Sequence, residues 1–333
     1  MSETYTGDEI WVPVRVHRAR KAGPRVFLTA AIHGDEINGL GIIREAMLRL
    51  GPELKAGTLI CVPVVNMFGF EAGQRYTPDR RDLNRMFPGS PNGSLANRVA
   101  NILFDEVVRK CDYGIDLHSA AEGRTNFPNV RGDLNVPGVR TLAESFGCEL
   151  IVHGRGPEGS LRYAACQAGC PTIILEAGEV AKIEPTVLQV GLRGIRNVLV
   201  QLGMMRGTVH RPAYQTRVQK KTWVRAAVGG LLRFHVAPGD LVEAGQPLAT
   251  NESLFGDARS VLIAPSDAIV LGMATMPAVK PGEPVCHLAV PRKSLRSIRK
   301  ALDAAADESI PHQLRRDMAS QVTSVEYGHP DPD

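Results

Sequence analysis

The chain has 333 residues, of which 44% are hydrophobic and 22% are charged, and its formal net charge is +4. This balance is that of an ordinary soluble globular protein, long enough for two domains. The sequence has no Lys/Arg-rich block interleaved with aromatic residues and no apolar run near the ~18 residues of a membrane span, which argues against nucleic-acid and membrane binding.

The first nine residues are polar and acidic. They lack the basic and apolar regions of a signal peptide, so the cytoplasm is the expected compartment. The six cysteines are scattered along the chain, and in a cytoplasmic protein they are expected to be reduced core residues.

Strands and helices alternate through about residue 205. Continuous apolar runs predict strands buried on both faces, and apolar residues at three- and four-residue spacing predict helices. In chain order, the predicted strands are 10–16, 26–32, 58–65, 111–117, 149–153 and 172–175, and the predicted helices are 37–50, 94–110, 139–146, 160–168 and 185–202. This alternation predicts an α/β domain over residues 1–218, with a mainly parallel mixed sheet flanked by helices.

Two segments of this domain are predicted to be loops. Residues 66–93 are polar and too long for a plain connector, so this loop is expected to be functional. The segment before the helix at 139 contains Gly123, Pro128 and Gly132, which are typical of a loop.

From about residue 220 the pattern changes to short strands with Pro-Gly turns. The stretch 227–249 is echoed by 264–289, with the turns Pro238-Gly239-Asp240 and Pro281-Gly282-Glu283. Such a duplication predicts a small β sandwich or barrel over residues 219–291. Residues 292–333 are expected to form a weak amphipathic helix and a partly mobile tail.

His33 and Glu36 directly follow the predicted strand 26–32. Taken alone, an H-x-x-E pair is also typical of a solvated strand-to-helix turn. His118 and Glu176, however, follow two further predicted strands. Ligands of such sheets bind beyond the carboxyl ends of the strands, so these side chains are expected to converge at one edge.

Two histidines and one glutamate match a catalytic zinc site in which water takes the fourth position. Zinc lowers the pKa of such a water to about 7 and makes it a nucleophile. Glu176 ends a strongly apolar strand and would suit the role of base. Glu179 is its rival, but it is expected to be solvated.

The long loop contains four arginines between residues 75 and 85. They are typical either of a solvated surface or of a clamp, since Arg and Asn direct several donors at a carboxylate.

Four motifs in this order carry a resemblance: His33-Gly34-Asp35-Glu36, Asp82-Leu83-Asn84-Arg85, Asp116-Leu117-His118 and Glu176. Over about residues 10–205 the chain resembles the succinylglutamate desuccinylase/aspartoacylase family, a branch of the zinc carboxypeptidase superfamily. The resemblance implies a zinc-carboxypeptidase-like fold and one Zn²⁺ per chain. It also implies that His33, Glu36 and His118 bind the zinc and that Glu176 is the general base.

Further roles follow from the same resemblance. Asn84 and Arg85 would clamp the α-carboxylate of the substrate, and Arg75 would polarise the scissile carbonyl. Asp82 would orient a ligand histidine. Arg162 is similar in placement to the arginine that reads the acyl side chain in aspartoacylases, at a longer spacing from the catalytic glutamate.

The stretch 236–246 resembles lipoyl/biotinyl-type β domains, which carry a lysine on an exposed hairpin between their halves. Residues 251–264 contain no lysine. The resemblance therefore implies the fold without the carrier function, and a cap beside the active site or a dimer contact is the expected role.

The expected function is that of a zinc-dependent deacylase that hydrolyses the amide of a small N-acyl amino acid, although the same chemistry would serve an ester. One alternative is a zinc carboxypeptidase acting on peptides, which an open groove would favour. Another is a non-enzymatic zinc-stabilised binding protein, against which Glu176 and the missing carrier lysine argue. The expected partner is a small-molecule substrate, and homo-oligomerisation stays open.

Overall fold

The structure is a computed structural model in which residues 2–3, 7, 9–304, 310–311 and 313–314 are described. The strands are β1 (Ser2–Glu3), β2 (Glu9–Ile10), β3 (Arg15–Arg18), β4 (Lys21–Ala30), β5 (Ala56–Val62), β6 (Tyr113–His118), β7 (Arg124–Gly132), β8 (Leu150–His153), β9 (Thr172–Gly178), β10 (Thr216–Arg225), β11 (Gly230–Phe234), β12 (Leu241–Val242), β13 (Pro247–Glu252), β14 (Ala258–Ile263), β15 (Ala268–Ala274), β16 (Ala278–Val279) and β17 (Pro284–Pro291). The helices are α1 (Asn38–Glu45), α2 (Met67–Glu71), α3 (Leu95–Glu106), α4 (Val139–Phe146), α5 (Leu161–Gln167), α6 (Pro185–Gln201) and α7 (Leu295–Ala304).

Eleven strands form one sheet, in the order β12-β15-β17-β10-β8-β7-β9-β6-β4-β5-β3. Parallel pairs join β5, β4, β6 and β9, and also β7, β8 and β10. β7 runs antiparallel to β9, and the strands at both ends of the sheet also pair antiparallel. The sheet is therefore mixed, and the carboxyl ends of β4, β6 and β9 share one edge.

Helices cover both faces of this sheet. Val26 and Leu28 of β4 pack in one hydrophobic core with α1, α4 and α6, while Phe27 packs in a second core with α3 and α5. Successive side chains of a strand point to opposite faces, and a continuous apolar run therefore fills two cores at once. The α/β character expected from the sequence is confirmed.

The C-terminal strands divide between two sheets. β10, β12, β15 and β17 extend the large sheet, whereas β11, β13, β14 and β16 form a separate four-stranded sheet. β15 also pairs with β7, which ties this part of the chain to the middle of the α/β layer. Because β10 runs across the proposed boundary at residue 218, the division into domains stays a prediction, as does the lipoyl-like fold.

The structure corrects two loop and strand predictions. Residues 124–132 form β7 rather than a loop. Pro128 is tolerated there because it lies in an irregularity of the β7–β9 ladder, where pairing is already interrupted. The predicted strand 10–16 is interrupted around Pro13, and only residues 10, 15 and 16 belong to strands.

Other predictions differ from the structure mainly at element ends. The predicted helix 37–50 becomes π-helical over Ala46–Leu50, and the long loop contains α2 and a 3-10 turn, Leu83–Arg85. The helix expected near residue 295 is confirmed as α7, whereas most of the predicted mobile tail lies outside the described residues. Among the described helices, none combines the length and apolar character needed to cross a bilayer.

Candidate metal and catalytic site

The turn after β4 brings His33 and Glu36 together. The chain leaves β4 through Ala31, whose φ of 48° is left-handed and costs about 1–3 kcal/mol for a non-glycine residue. Gly34 follows, and a Cβ there would stand 2.0 Å from the backbone carbon of Gly69. The turn is thus held in one conformation by close backbone packing against α2.

Three buried side chains meet at this turn. His33 Nδ1 lies 2.6 Å from Glu36 Oε1, and His118 Nδ1 lies 2.9 Å from Glu36 Oε2. One donor atom from each residue lies within 4.8 Å of the others. Two imidazole nitrogens and a carboxylate oxygen are a donor set that zinc accepts in catalytic sites.

A second carboxylate contacts each histidine at Nε2, the ring nitrogen opposite the one that contacts Glu36. His33 Nε2 lies 3.1 Å from Asp82 Oδ1, and His118 Nε2 lies 2.8 Å from Asp116 Oδ2. Such contacts fix each ring so that its Nδ1 faces Glu36, as a metal shared by the three residues would require. Asp82 was predicted for this role, while Asp116 was not, although its place two residues before His118 on one strand puts both on the same face.

The charge of this cluster suits a divalent cation. Histidines that bind a metal are neutral, and in that state the three carboxylates of Glu36, Asp82 and Asp116 outnumber the one guanidinium of Arg75, which leaves a net charge of −2. A bound dication is often the largest charge in such a site and would balance this excess. The residues present therefore fit the metal that the motifs imply.

The same contacts shift the pKa values of the cluster. Burial lowers the pKa of His118, but the Asp116 and Glu36 carboxylates raise it well above its ordinary value. Burial would raise the pKa of Glu36, yet the two histidines beside it bring that pKa well below the usual range. These opposing shifts favour the ionised form of Glu36.

Glu176 lies beside this cluster at the end of β9. Its strand partner in the parallel β6–β9 ladder is His118. Asn126 Nδ2 donates a hydrogen bond to Glu176 Oε2 at 3.1 Å, and Arg131 Nη1 lies 3.2 Å from Oε1. The carboxylate is therefore held in place by two groups of β7, neither of which sequence reasoning identified.

Glu179, the rival of Glu176, is engaged elsewhere. Its carboxylate accepts hydrogen bonds from Lys182 Nζ at 2.7 Å and Thr275 Oγ1 at 2.6 Å. The expectation that it is solvated is wrong, because its side chain is only 16% exposed. It joins the loop after β9 to the loop after β15 and does not line the cavity that contains Glu176.

All the predicted site residues except Asp82 line one cavity of about 350 Å³. Arg75 donates to Glu36 Oε1 at 3.1 Å and to Asp82 Oδ2 at 3.3 Å. Asn84 Oδ1 accepts from the backbone N of Leu161 at 2.9 Å, and Arg85 Nη1 donates to the Asn84 carbonyl at 2.7 Å. The arginine-rich loop thus contributes to the cavity rather than only to the outer surface.

Arg162 is a buried cation of the cavity with unpaired donors. The residue is only 7% exposed, yet Nε and Nη1 have no hydrogen-bond partner among the residues described. Burial and the neighbouring Arg131 lower the pKa of its guanidinium. A buried cation with free donors is costly, so an anion at this place would be strongly favoured.

The C-terminal strands form another wall of the cavity. Trp223 of β10 and His287 of β17 both line it, together with Arg124 at the start of β7. The role of this part of the chain, a cap beside the active site or a dimer contact, stays a prediction, and the wall favours the cap. Nothing in the local sequence marks these residues, because the wall forms only through long-range pairings, of β10 with β8 and of β15 with β7.

Comparison with known proteins identifies the family. Residues 22–202 match the succinylglutamate desuccinylase/aspartoacylase catalytic domain. A protein of Halomonas elongata named N-alpha-acetyl-L-2,4-diaminobutyric acid deacetylase is 31% identical over 253 residues, which are 72% of this chain and 73% of the relative.

Solved structures agree with this match. A succinylglutamate desuccinylase/aspartoacylase from Rhodobacter sphaeroides is 26% identical, with a TM-score of 0.76 over 87% of this chain and 93% of the other. The product-bound ectoine utilization protein EutE of Ruegeria pomeroyi, 24% identical, has the same fold, with a TM-score of 0.77 over 87% of this chain and 92% of its own. The chain belongs to the succinylglutamate desuccinylase/aspartoacylase family.

Proposed function

We propose that this protein is a zinc-dependent hydrolase that cleaves the amide bond of a small N-acyl amino acid. The observation that carries the proposal is the buried His33–Glu36–His118 cluster, which shares one cavity with the Glu176 carboxylate. The name of the Halomonas elongata relative, a deacetylase of an acetylated amino acid, supports the same reaction class.

His33, Glu36 and His118 would hold one zinc ion, with their orientation fixed by Asp82 and Asp116. A bound zinc ion supplies Lewis acidity, because it acidifies a water molecule and polarises a carbonyl group.

Glu176 would act as the general base. Its carboxylate takes a proton from the attacking water and returns it to the leaving nitrogen, so that the C–N bond breaks to give a carboxylate and an amine. The contacts from Asn126 and Arg131 orient the carboxylate before the substrate arrives. A base that needs no rearrangement at the moment of reaction is more effective.

The remaining cavity residues would bind the substrate. Asn84 and Arg85 are fixed by their own hydrogen bonds and would clamp the α-carboxylate. Arg75, beside Glu36, would polarise the scissile carbonyl and stabilise the oxyanion. The free donors of Arg162 would receive a polar part of the acyl group.

Action on long peptides is less well supported. Trp223 and His287 bound the cavity from the C-terminal side, and a volume of about 350 Å³ suits a small molecule. A cavity bounded on this side favours a small substrate over the peptides that an open groove would favour.

The test compares Glu176→Gln with Glu179→Gln in zinc-loaded protein, using a panel of N-acetyl and N-succinyl amino acids. Glu176→Gln should keep its zinc and lose about 10²–10⁴-fold in turnover, as expected for removal of a general base. Glu179→Gln should stay close to the wild type, since that carboxylate lies outside the cavity. Undiminished turnover in Glu176→Gln would overturn the assignment of the base.

A further inference from the structure

We propose that a second cavity, outside the catalytic one, binds a compact oxyanion with two or more negative charges, of the phosphate or polycarboxylate class. This anion cavity has a volume of about 370 Å³, close to that of the catalytic cavity. Among the residues described, the two cavities have no lining residue in common. Binding in the anion cavity would therefore be independent of the proposed hydrolysis.

The anion cavity lies where the C-terminal strands join the α/β layer. Its lining comes from the segment after β7, the end of β8, the first turn of α4, β10 and the residue after β17. At this junction β10 runs parallel to β8, with Arg217 opposite Ile151 and Val218 opposite Val152. A ligand held by both sides would bridge the two parts of the molecule.

Positive charge dominates the lining. Three guanidinium groups line the cavity, those of Arg140, Arg217 and Arg292, and no carboxylate does so in the part of the chain that the structure describes. A guanidinium directs two parallel N–H donors at a carboxylate or a phosphate. Because the three cations repel one another, an anion with two or more charges should bind better than a monovalent one.

The donors of these arginines are available to a ligand. The side chains of Arg140 and Arg292 have no hydrogen-bond or ion-pair partner within the described residues. Arg217 Nη2 lies 3.0 Å from Glu144 Oε1, but the two side chains are 32% and 44% exposed. An ion pair as exposed as this is weak, so it competes little with a multivalent anion.

His153 adds a donor whose place is set by its tautomer. Its Nδ1 accepts a hydrogen bond from the backbone N of Leu134 at 3.1 Å. A ring nitrogen that accepts carries no proton, so the proton of the neutral imidazole lies on Nε2 and can be donated to a ligand. The nearby carboxylate of Asp133 accepts from the backbone N of Asn135 at 3.1 Å and does not line the cavity.

Backbone hydrogen bonds hold the lining elements together. The backbone N of Arg292 donates to the Arg217 carbonyl at 2.9 Å, and the backbone N of Lys293 donates to Thr216 Oγ1 at 3.2 Å. Within the α/β layer, the backbone N of Gly154 donates to the Gly132 carbonyl at 2.9 Å and joins the ends of β7 and β8. A cavity whose backbone is already fixed loses less entropy when a ligand binds.

The lining favours a compact anion over a nucleotide. Apart from the His153 imidazole, no aromatic ring lines the cavity in the described structure, so a nucleobase would have no surface on which to stack. The amides of Asn135 and Gln219 offer further donors for the oxygens of a small anion.

Isothermal titration calorimetry of the zinc-loaded protein at constant ionic strength tests the site. The probes are inorganic phosphate, propane-1,2,3-tricarboxylate, AMP and acetate. Phosphate or the tricarboxylate should bind about tenfold or more tightly than acetate, and the tighter of the two identifies the chemical class of the ligand. AMP should bind no more tightly than phosphate, because its base finds no partner.

The decisive variant is Arg140→Gln/Arg292→Gln. Both residues are exposed, and neither side chain has a partner among the described residues, so the fold should persist. The dissociation constant of the preferred anion should rise about 10–100-fold, as expected when hydrogen bonds to charged groups are lost. Arg206→Gln/Arg211→Gln is the matched control, because it removes the same charge from two exposed arginines outside both cavities. It should leave the affinity unchanged.

A second control separates the two cavities, since arginines also line the catalytic one. Arg85→Gln/Arg124→Gln removes two of them and should keep the binding that Arg140→Gln/Arg292→Gln loses.

Three results would overturn the assignment of the anion cavity. They are the absence of binding for both multivalent probes, an affinity loss in Arg206→Gln/Arg211→Gln as large as in Arg140→Gln/Arg292→Gln, and a loss confined to Arg85→Gln/Arg124→Gln, which would place the anion in the catalytic cavity. None of these measurements depends on turnover, so they stand whether or not the protein proves to be a deacylase.

Discussion

Two buried carboxyl groups in this protein have opposite surroundings. Glu36, at the edge where β4, β6 and β9 end, contacts both cluster histidines and Arg75, and also accepts a hydrogen bond from the backbone N of Ser119 at 3.0 Å. Glu149, at the start of β8, is equally buried, but its Oε2 has no hydrogen-bond partner in the described structure.

The difference decides which form each group takes. Partners of opposite charge bring the pKa of Glu36 far down, so it is ionised and ready to bind a cation. Burial raises the pKa of Glu149 to about 7, and a backbone hydrogen bond and the charge of Arg193 offset this only in part. Burial alone does not make a functional carboxylate, because the network around it has to favour the charged form.

The largest change is expected for His118→Ala, which removes one of the residues that surround Glu36. This variant tests whether the Glu36 cluster stabilises the protein by binding zinc. Zinc at 1,000 times its dissociation constant should stabilise the wild type by about 4 kcal/mol, because it binds the native state alone. His118→Ala should gain little, since only His33 and Glu36 remain as ligands. Thermal unfolding with and without zinc measures both values.

The control for that experiment is His210→Ala, which removes an exposed histidine outside the cluster. It should keep the full zinc-dependent stabilisation. A His118→Ala variant that zinc stabilises as much as the wild type would show that the metal binds elsewhere.

Glu149→Gln tests the other carboxyl group of the comparison, whose ionised form is expected to destabilise the fold. The pKa of Glu149 rises from 4.5 to about 7 on folding. Its favourable contribution is therefore complete below pH 4.5 and is lost as the pH rises to about 7. Gln cannot ionise, so the variant should be more stable than the wild type by about 3 kcal/mol at pH 8 and by almost nothing at pH 4.

Urea unfolding of metal-free protein at both pH values measures this difference. Glu158→Gln is the control, because the Glu158 side chain is 77% exposed and should show no comparable gain at pH 8. A pH-independent effect of Glu149→Gln would contradict the raised pKa.

The sequence identifies the centre of the site better than its walls. His33, His118 and Glu176 follow apolar strands, and the edge of a sheet brings strand ends together whatever the loops do. Arg131 and Asn126 lie on β7, where Pro128 suggested a loop. A bulge that accommodates a proline depends on the neighbouring strand β9, which local sequence does not describe.

The wall formed by Trp223 and His287 was hidden for a different reason. These residues lie about 190 and 250 positions from His33, and they reach the cavity through the pairings of β10 with β8 and of β15 with β7. A repeat of short strands predicts β structure, but not the face that it presents to another layer. Long-range register is set by packing rather than by local pattern.

Asp116→Asn tests the network behind the metal ligands, with a smaller expected effect. Asp116 Oδ2 lies 2.8 Å from His118 Nε2, and an amide holds that ring less well than a carboxylate. Zinc affinity should fall about 10–100-fold, the usual consequence of altering such a contact. Asp112→Asn, which changes a half-exposed carboxylate just before β6, should leave the affinity unchanged.

A competition titration against a chelator measures both zinc affinities. Equal affinities for Asp116→Asn and the wild type would mean that Asp116 serves the fold alone.

The smallest effect is expected one contact further out, at Thr29 of β4. Its hydroxyl donates a hydrogen bond to Asp116 Oδ1 at 2.8 Å, inside the core. Thr29→Val keeps the shape of the side chain but leaves that oxygen unpaired, which should cost about 1–2 kcal/mol of unfolding free energy and lower zinc affinity only about threefold. Thr29→Ser keeps the hydroxyl and should preserve the affinity. If Thr29→Val weakened zinc binding as much as Asp116→Asn does, the orientation of His118 would depend on the whole chain of hydrogen bonds rather than on its nearest carboxylate.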